Sequence, residues 1–349
     1  MTTSAGTASL TPTGRVRRSL RRAGRRTNLG LLLLLGGALL SGALLFLSGT
    51  PGPATAARVA HGITGVGLLV LAPWKTAVVL RAARLHAVGL VLLGLVLVCL
   101  GSGVLEVAGG YRPVLGISPI QLHVGSALAL VGFAAVHVVR HRPLVVRRSD
   151  LSRRRLLATG GLTLAMGATY GLVEAATRLT SPIAARRVAT GSHRLAAAAI
   201  PATTWLLDRV PDLDPGRHRV LVAGVALAAD ELDRLGRPVT ARLDCTSGWY
   251  ADATWTGVRL DTLLAGAALE SADSIEVRSV TGYRRRFPTS EAGSLFLATR
   301  LEGLPLTAGQ GAPVRLLAPG RRGFWWVKWV GSVQLSPLPA AAQSPFPLQ

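Results

Sequence analysis

Aromatic residues, acidic residues, lysine and cysteine are all scarce in this sequence. Phe, Trp and Tyr make up 5% of the 349 residues, yet hydrophobic residues reach 49% and mean hydropathy is +0.41. The apolar content is therefore Leu, Val and Ala, as in membrane helices. Acidic residues number 17 against 39 basic ones, a net charge of +22. A nucleic-acid binder is one class with such a balance. Here the arginines cluster at 15–26 and 140–155, each cluster beside an apolar run. That is the pattern of cytoplasmic flanks of membrane spans, and no nucleic-acid partner is expected. Lys75 and Lys328 are the only lysines. Two cysteines, Cys99 and Cys245, give no disulfide framework. Cys99 falls in an apolar run, which leaves Cys245 as an unpaired thiol in a polar region.

The apolar runs set the organisation. Residues 1–28 form a basic tail, and runs at 29–47, 56–80, 85–107 and 118–139 each fit one span of about 20 residues. These make a four-helix membrane domain over 29–141. Residues 142–180 comprise a basic loop and a fifth span, 181–203 a linker, and 204–335 a domain of short strands and short helices. Residues 336–349 are Pro-rich and expected to be flexible. The expected fold is thus an all-α transmembrane bundle of about five spans followed by an α+β domain. Basic residues in the tail, at Arg81 and Arg84, and in the 140–155 loop place those segments in the cytoplasm. The chain is then a multi-pass protein of the cell membrane, with its C-terminal domain outside. Ser152-Arg153-Arg154-Arg155-Leu156-Leu157 is both a positive-inside loop and a match to a twin-arginine export motif.

Four histidines lie within or at the ends of the spans: His61, His86, His123 and His137. Ionisable residues at such depth suggest function. They sort into an outer pair, His61 and His123, and an inner pair, His86 and His137. His123 and His137 are 14 residues apart on one predicted helix, nearly four turns and about 21 Å. One metal cannot take both, but two stacked haems could, as b-type haems at His61/His123 and His86/His137. The placement resembles four-helix membrane cytochromes b of the b561-like kind over 29–141. The same histidines would also serve as interfacial hydrogen-bonding groups, a role that suits His86 best.

The second half centres on Leu243-Asp244-Cys245-Thr246-Ser247-Gly248-Trp249. With Arg219–Gly224, Trp255-x-Gly257-Val258-x-Leu260, Gly282-Tyr283, Glu302-Gly303-x-Pro305-Leu306, Gly311–Leu316 and Val327-Lys328-Trp329, it resembles, in order and spacing, the molybdopterin-binding domain of the sulfite oxidase family. The resemblance implies a molybdenum–molybdopterin cofactor whose metal takes the thiolate of Cys245, a soft donor suited to it. It implies that Arg315 holds the cofactor, since guanidinium pairs well with phosphate. Gly323 and Phe324 stand where a turn nears the pterin, and Lys328 where the family has a lysine. Gln310 and Ser279 (with Thr281) stand at further cofactor-contacting positions, although each also suits a turn. Sulfite oxidases proper carry Asn-Arg-Arg soon after the cysteine. Thr246-Ser247-Gly248-Trp249 departs from that, as in a bacterial reductase-like branch, and puts sulfite in doubt as the substrate. Arg284, Arg285, Arg286, Arg321 and Arg322 are left as a candidate cationic pocket. The family's second β-sandwich has no counterpart after 335.

The expected function is a membrane-bound molybdenum-dependent oxidoreductase. It would act on a small-molecule substrate outside the cell and exchange electrons with haem b and the quinone pool. The alternatives are a haem-free anchored enzyme served by a separate redox partner, and a non-catalytic binding module that keeps the fold.

Overall fold

A computed structural model of the chain describes residues 25–81, 87–141, 152–203 and 209–347. It divides into two units, one helical and one built on sheets.

The helical unit contains five long helices: α1 (Arg25–Leu47), α2 (Pro51–Arg81), α3 (Ala87–Gly109), α4 (Pro119–His141) and α5 (Arg153–Thr180). All five are long and apolar enough to cross a membrane. A helix satisfies its own backbone polar groups, which is why apolar runs of this length take that form in lipid. The observed boundaries differ from the expected runs by a few residues, and the fifth helix begins inside the basic segment. Here Arg153–Arg155 already belong to α5. Glycines let neighbouring helices approach. A Cβ on Gly62 of α2 would lie 2.1 Å from the Tyr170 ring of α5. Nearby, Arg58 donates to Glu174 Oε1 at 2.8 Å, and so does Arg178 Nε at 2.8 Å, tying α5 to α2.

The second unit carries two sheets. One has six strands: β1 (His193–Arg194), β4 (Arg237–Asp244), β5 (Trp249–Arg259), β8 (Phe296–Leu301), β9 (Leu304–Pro305) and β10 (Arg315–Leu317). The other runs in the order β3 (Val225–Ala228), β2 (Arg219–Val222), β11 (Val330–Ser336), β6 (Ser274–Ser279), β7 (Arg284–Phe287). A helix, α6 (Ala229–Leu235), follows β3. Alternation places Val220 and Val222 of β2, and Ala251, Ala253 and Trp255 of β5, in the interior.

Two expectations change here. The apolar run from His218 to Val225 has the sequence pattern of a single strand, yet it spans the turn of a hairpin. Ala223 (φ 45°) and Gly224 (φ 91°) form its two-residue turn, and both central positions of that turn type need positive φ. The segment taken as a linker joins the sheet, because β1 pairs parallel to β5 with His193 opposite Trp249. Two residues are too few to show a period, so the sequence pattern does not reveal this strand.

The Pro-rich tail also differs from expectation over its described part. Gln343 accepts from the Arg286 backbone N–H at 3.0 Å and donates to its carbonyl at 2.8 Å. Arg285 Nη1 donates to the Ser344 carbonyl at 2.9 Å. These bonds run along the outer strand β7.

Candidate functional site

Cys245 sits in the four-residue connection between β4 and β5. Its N–H donates to the Trp249 carbonyl at 2.8 Å, and Gly248 N–H returns to the Cys245 carbonyl at 3.3 Å. Gly248 takes φ 96°, a conformation that favours glycine. The thiol is 9% exposed and lies 3.0 Å from Ser247 Oγ.

The residue before it, Asp244, is buried and holds the turn from below. Its carboxylate accepts from Thr190 Oγ1 at 2.8 Å and Ser192 Oγ at 2.7 Å, and it pairs with Arg322. Arg322 also donates from Nη2 to the Cys245 carbonyl at 3.2 Å. Breaking a buried ion pair from one side strands a charge. Arg322→Ala is therefore expected to cost about 3 kcal/mol of stability, toward the lower end for such pairs because Thr190 and Ser192 still donate to Asp244. Chemical denaturation of the purified protein measures this.

Arg315 on β10 is 2% exposed. Its guanidinium carbon lies 5.0 Å from the Trp255 ring centroid and 5.7 Å from that of Trp326. Nη1 donates to the Gln310 carbonyl at 2.8 Å, whereas Nε has no hydrogen-bond partner among the described residues. Burial pulls this guanidinium down to about 10, and the nearby charge of Cys245 acts the other way. A buried cation held by one carbonyl and two ring faces is poorly compensated, and an anionic group beside it would relieve that.

The remaining predicted residues fall into two neighbourhoods. Gly323 abuts the cysteine: a Cβ there would sit 3.1 Å from Cys245 Cα. Phe324 follows it, and its carbonyl accepts from Tyr283 Oη at 2.5 Å. The Tyr283 carbonyl in turn accepts from Ser279 N–H at 2.7 Å, so Ser279 is linked to this turn through Tyr283. Ser279 Oγ itself lies 3.0 Å from Thr281 Oγ1 in the turn after β6. Lys328 and Gln310 group around Gly311, where a Cβ would be 3.0 Å from Lys328 Cβ and 3.2 Å from Arg315 Cβ. Lys328 Nζ donates to the carbonyls of Thr203 (2.7 Å) and Gly309 (2.5 Å). The Gln310 side chain accepts from Thr307 N–H at 3.0 Å in a capping box, leaving its carbonyl to serve Arg315.

The candidate cationic pocket does not form as expected. Arg285 is buried against the rings of Tyr283, Phe324 and Trp325. Arg286 pairs with Glu276 at 2.7 Å and Arg321 with Glu291 at 2.5 Å, while Arg322 serves Asp244. Carboxylates from other segments neutralise Arg286, Arg321 and Arg322, which is why their clustering misleads.

In the helical unit, His61 of α2 and His123 of α4 meet with ring centroids 5.7 Å apart and planes at 83°. Each ring is tethered by Nδ1. His61 Nδ1 lies 2.9 Å from the Ala38 carbonyl of α1, and His123 Nδ1 lies 2.7 Å from the Cys99 carbonyl of α3. Such a bond fixes the tautomer and leaves Nε2 as the nitrogen for a metal. Gly42 and Gly103 make room: a Cβ would lie 3.2 Å from His61 Cε1 and 3.0 Å from His123 Nδ1. Neither glycine stands out in the sequence. His137 lies near the end of α4, and His86 falls outside the described residues.

Residues 208–343 match the family model of the oxidoreductase molybdopterin binding domain. The matched region lies in the sheet-built unit and contains the Cys245 turn. The chain is similar to mitochondrial sulfite oxidase of Homo sapiens, 29% identical over 169 residues that cover 37% of this chain and 31% of that protein. It is likewise similar to the enzyme of Mus musculus, 29% identical over 166 residues, 36% and 30% of the two chains. It thus spans about a third of the length of these curated relatives. Among solved structures, the sulfane dehydrogenase SoxCD of Paracoccus pantotrophus matches at 23% identity over 37% of this chain and 40% of that one, with a TM-score of 0.35. Around the Cys245 turn, the residues that the sequence did not single out are Asp244, Thr190 and Ser192. An acidic residue next to the key cysteine, in a chain with few acids, was the available signal.

Proposed function

We propose that the protein is a membrane-bound molybdopterin-dependent oxidoreductase with its catalytic domain on the extracytoplasmic side. The observation that carries this is Cys245, held on a rigid turn with the buried, poorly compensated Arg315 beside it, inside a molybdopterin-type domain. The residues fit the cofactor. Cys245 would bind the metal as thiolate, Arg315 and Lys328 would meet the anionic parts of the pterin, and Gly323 would let the turn approach closely. The Gln310 backbone orients Arg315, and Phe324 and Ser279 complete the set through Tyr283. When bound, the molybdenum centre supplies oxygen-atom or electron-pair chemistry; the protein supplies orientation and electrostatics.

The helices would hold b-type haem between His61 and His123. What supports this pairing is that the two rings, from different helices, meet with centroids 5.7 Å apart and each keeps its Nε2 clear of the backbone tether. The Nδ1 tethers would set ring orientation and basicity. His137, with His86, is the proposed inner pair. Electrons would pass on to the quinone pool, and the basic loops would stay in the cytoplasm.

Metal analysis and a pyridine haemochrome assay of the detergent-purified protein test the cofactors. Molybdenum in stoichiometric amount, with haem, is the expected result, and protein that contains no molybdenum after expression in a competent host sinks the proposal. Molybdenum without haem points to the anchored enzyme with a separate electron-transfer partner. Turnover of sulfoxides, N-oxides and sulfite then ranks substrates. Sulfite is expected to be poor, because no arginine occupies 246–249 and Arg321 and Arg322 are already paired with Glu291 and Asp244.

A further inference from the structure

The 3.0 Å contact between Cys245 Sγ and Ser247 Oγ is buried, and as thiol and alcohol either group could donate. Once the sulfur is a metal-bound thiolate it has no proton, so the hydroxyl must be the donor. This step rests on the proposed ligation by Cys245. The backbone fixes the pair, since both residues lie in the short connection closed by the Cys245–Trp249 and Gly248–Cys245 hydrogen bonds. Arg322 holds the Cys245 carbonyl from the other side. Ser247 is 4% exposed, so water competes little for its hydroxyl.

A hydrogen bond to a metal-bound sulfur withdraws electron density from the ligand and favours the reduced metal. We infer that Ser247 is a tuning residue of the molybdenum centre: its hydroxyl donates to the Cys245 thiolate and makes the metal easier to reduce.

The test is an EPR-monitored redox titration of the molybdenum couple in the full-length purified protein, with metal content measured in parallel. Ser247→Ala is expected to load molybdenum, to move the midpoint to more negative potential and to change the Mo(V) signal. Ser247→Thr keeps the hydroxyl and is expected to restore both. Ser247→Cys, a weaker donor, is expected to fall between and serves if the alanine variant loads poorly. An alanine variant with full molybdenum and an unchanged midpoint overturns the inference. So does loss of molybdenum from the alanine and cysteine variants alike while threonine loads, since that marks a structural role. Retention of molybdenum by Cys245→Ser with an unchanged Mo(V) signal is a separate outcome: it removes the ligation on which the inference stands.

Discussion

Cys245→Ser is expected to abolish molybdenum binding and reduce activity to background while leaving the domain folded. Serine is close in size to cysteine, and the turn is held by backbone bonds that do not use the side chain. Asp244 keeps its bonds to Thr190, Ser192 and Arg322. The fold should therefore survive, with a stability change of about 1 kcal/mol or less. Binding is another matter. A thiol ionises readily enough to serve as a soft metal ligand, and a serine hydroxyl does not at neutral pH. Metal analysis and thermal melting of the variant check the two halves separately. A variant that melts like the parent, still carries molybdenum and keeps full activity would remove Cys245 from the metal site.

The second large effect is spectroscopic. His61→Ala and His123→Ala are each expected to eliminate the low-spin haem band from reduced-minus-oxidised spectra of membranes, with molybdenum content unchanged. The two residues come from different helices, and each is oriented by a carbonyl of a third or fourth. Removing either leaves an iron with one imidazole, so the substitutions should be equivalent rather than graded. Persistence of the band in both variants would assign these rings to helix packing. If an inner haem is present, a residual band should vanish only with His137→Ala, which separates the two pairs.

Much of this was legible in the sequence. The five long helices follow from apolar length alone. Cys245, Gly323 and Arg315 do come together. Three kinds of information were hidden. Ion pairs between distant residues, such as Arg322 with Asp244 and Arg321 with Glu291, depend on tertiary contact and make an arginine cluster look free. Backbone acceptors, such as the Ala38 and Cys99 carbonyls under the two histidines, carry no residue identity at all. Short strands such as His193–Arg194 are below the length at which alternation is readable.

The Gln343 side chain has a consequence for solubility. By filling both the N–H and the carbonyl of Arg286, it occupies the hydrogen-bonding groups that β7 would otherwise present at the rim of its sheet. An open rim is a template for a strand from a second copy. Here one amide side chain imitates that visiting strand, so the rim is closed to fibre-like stacking at this position without another layer of sheet.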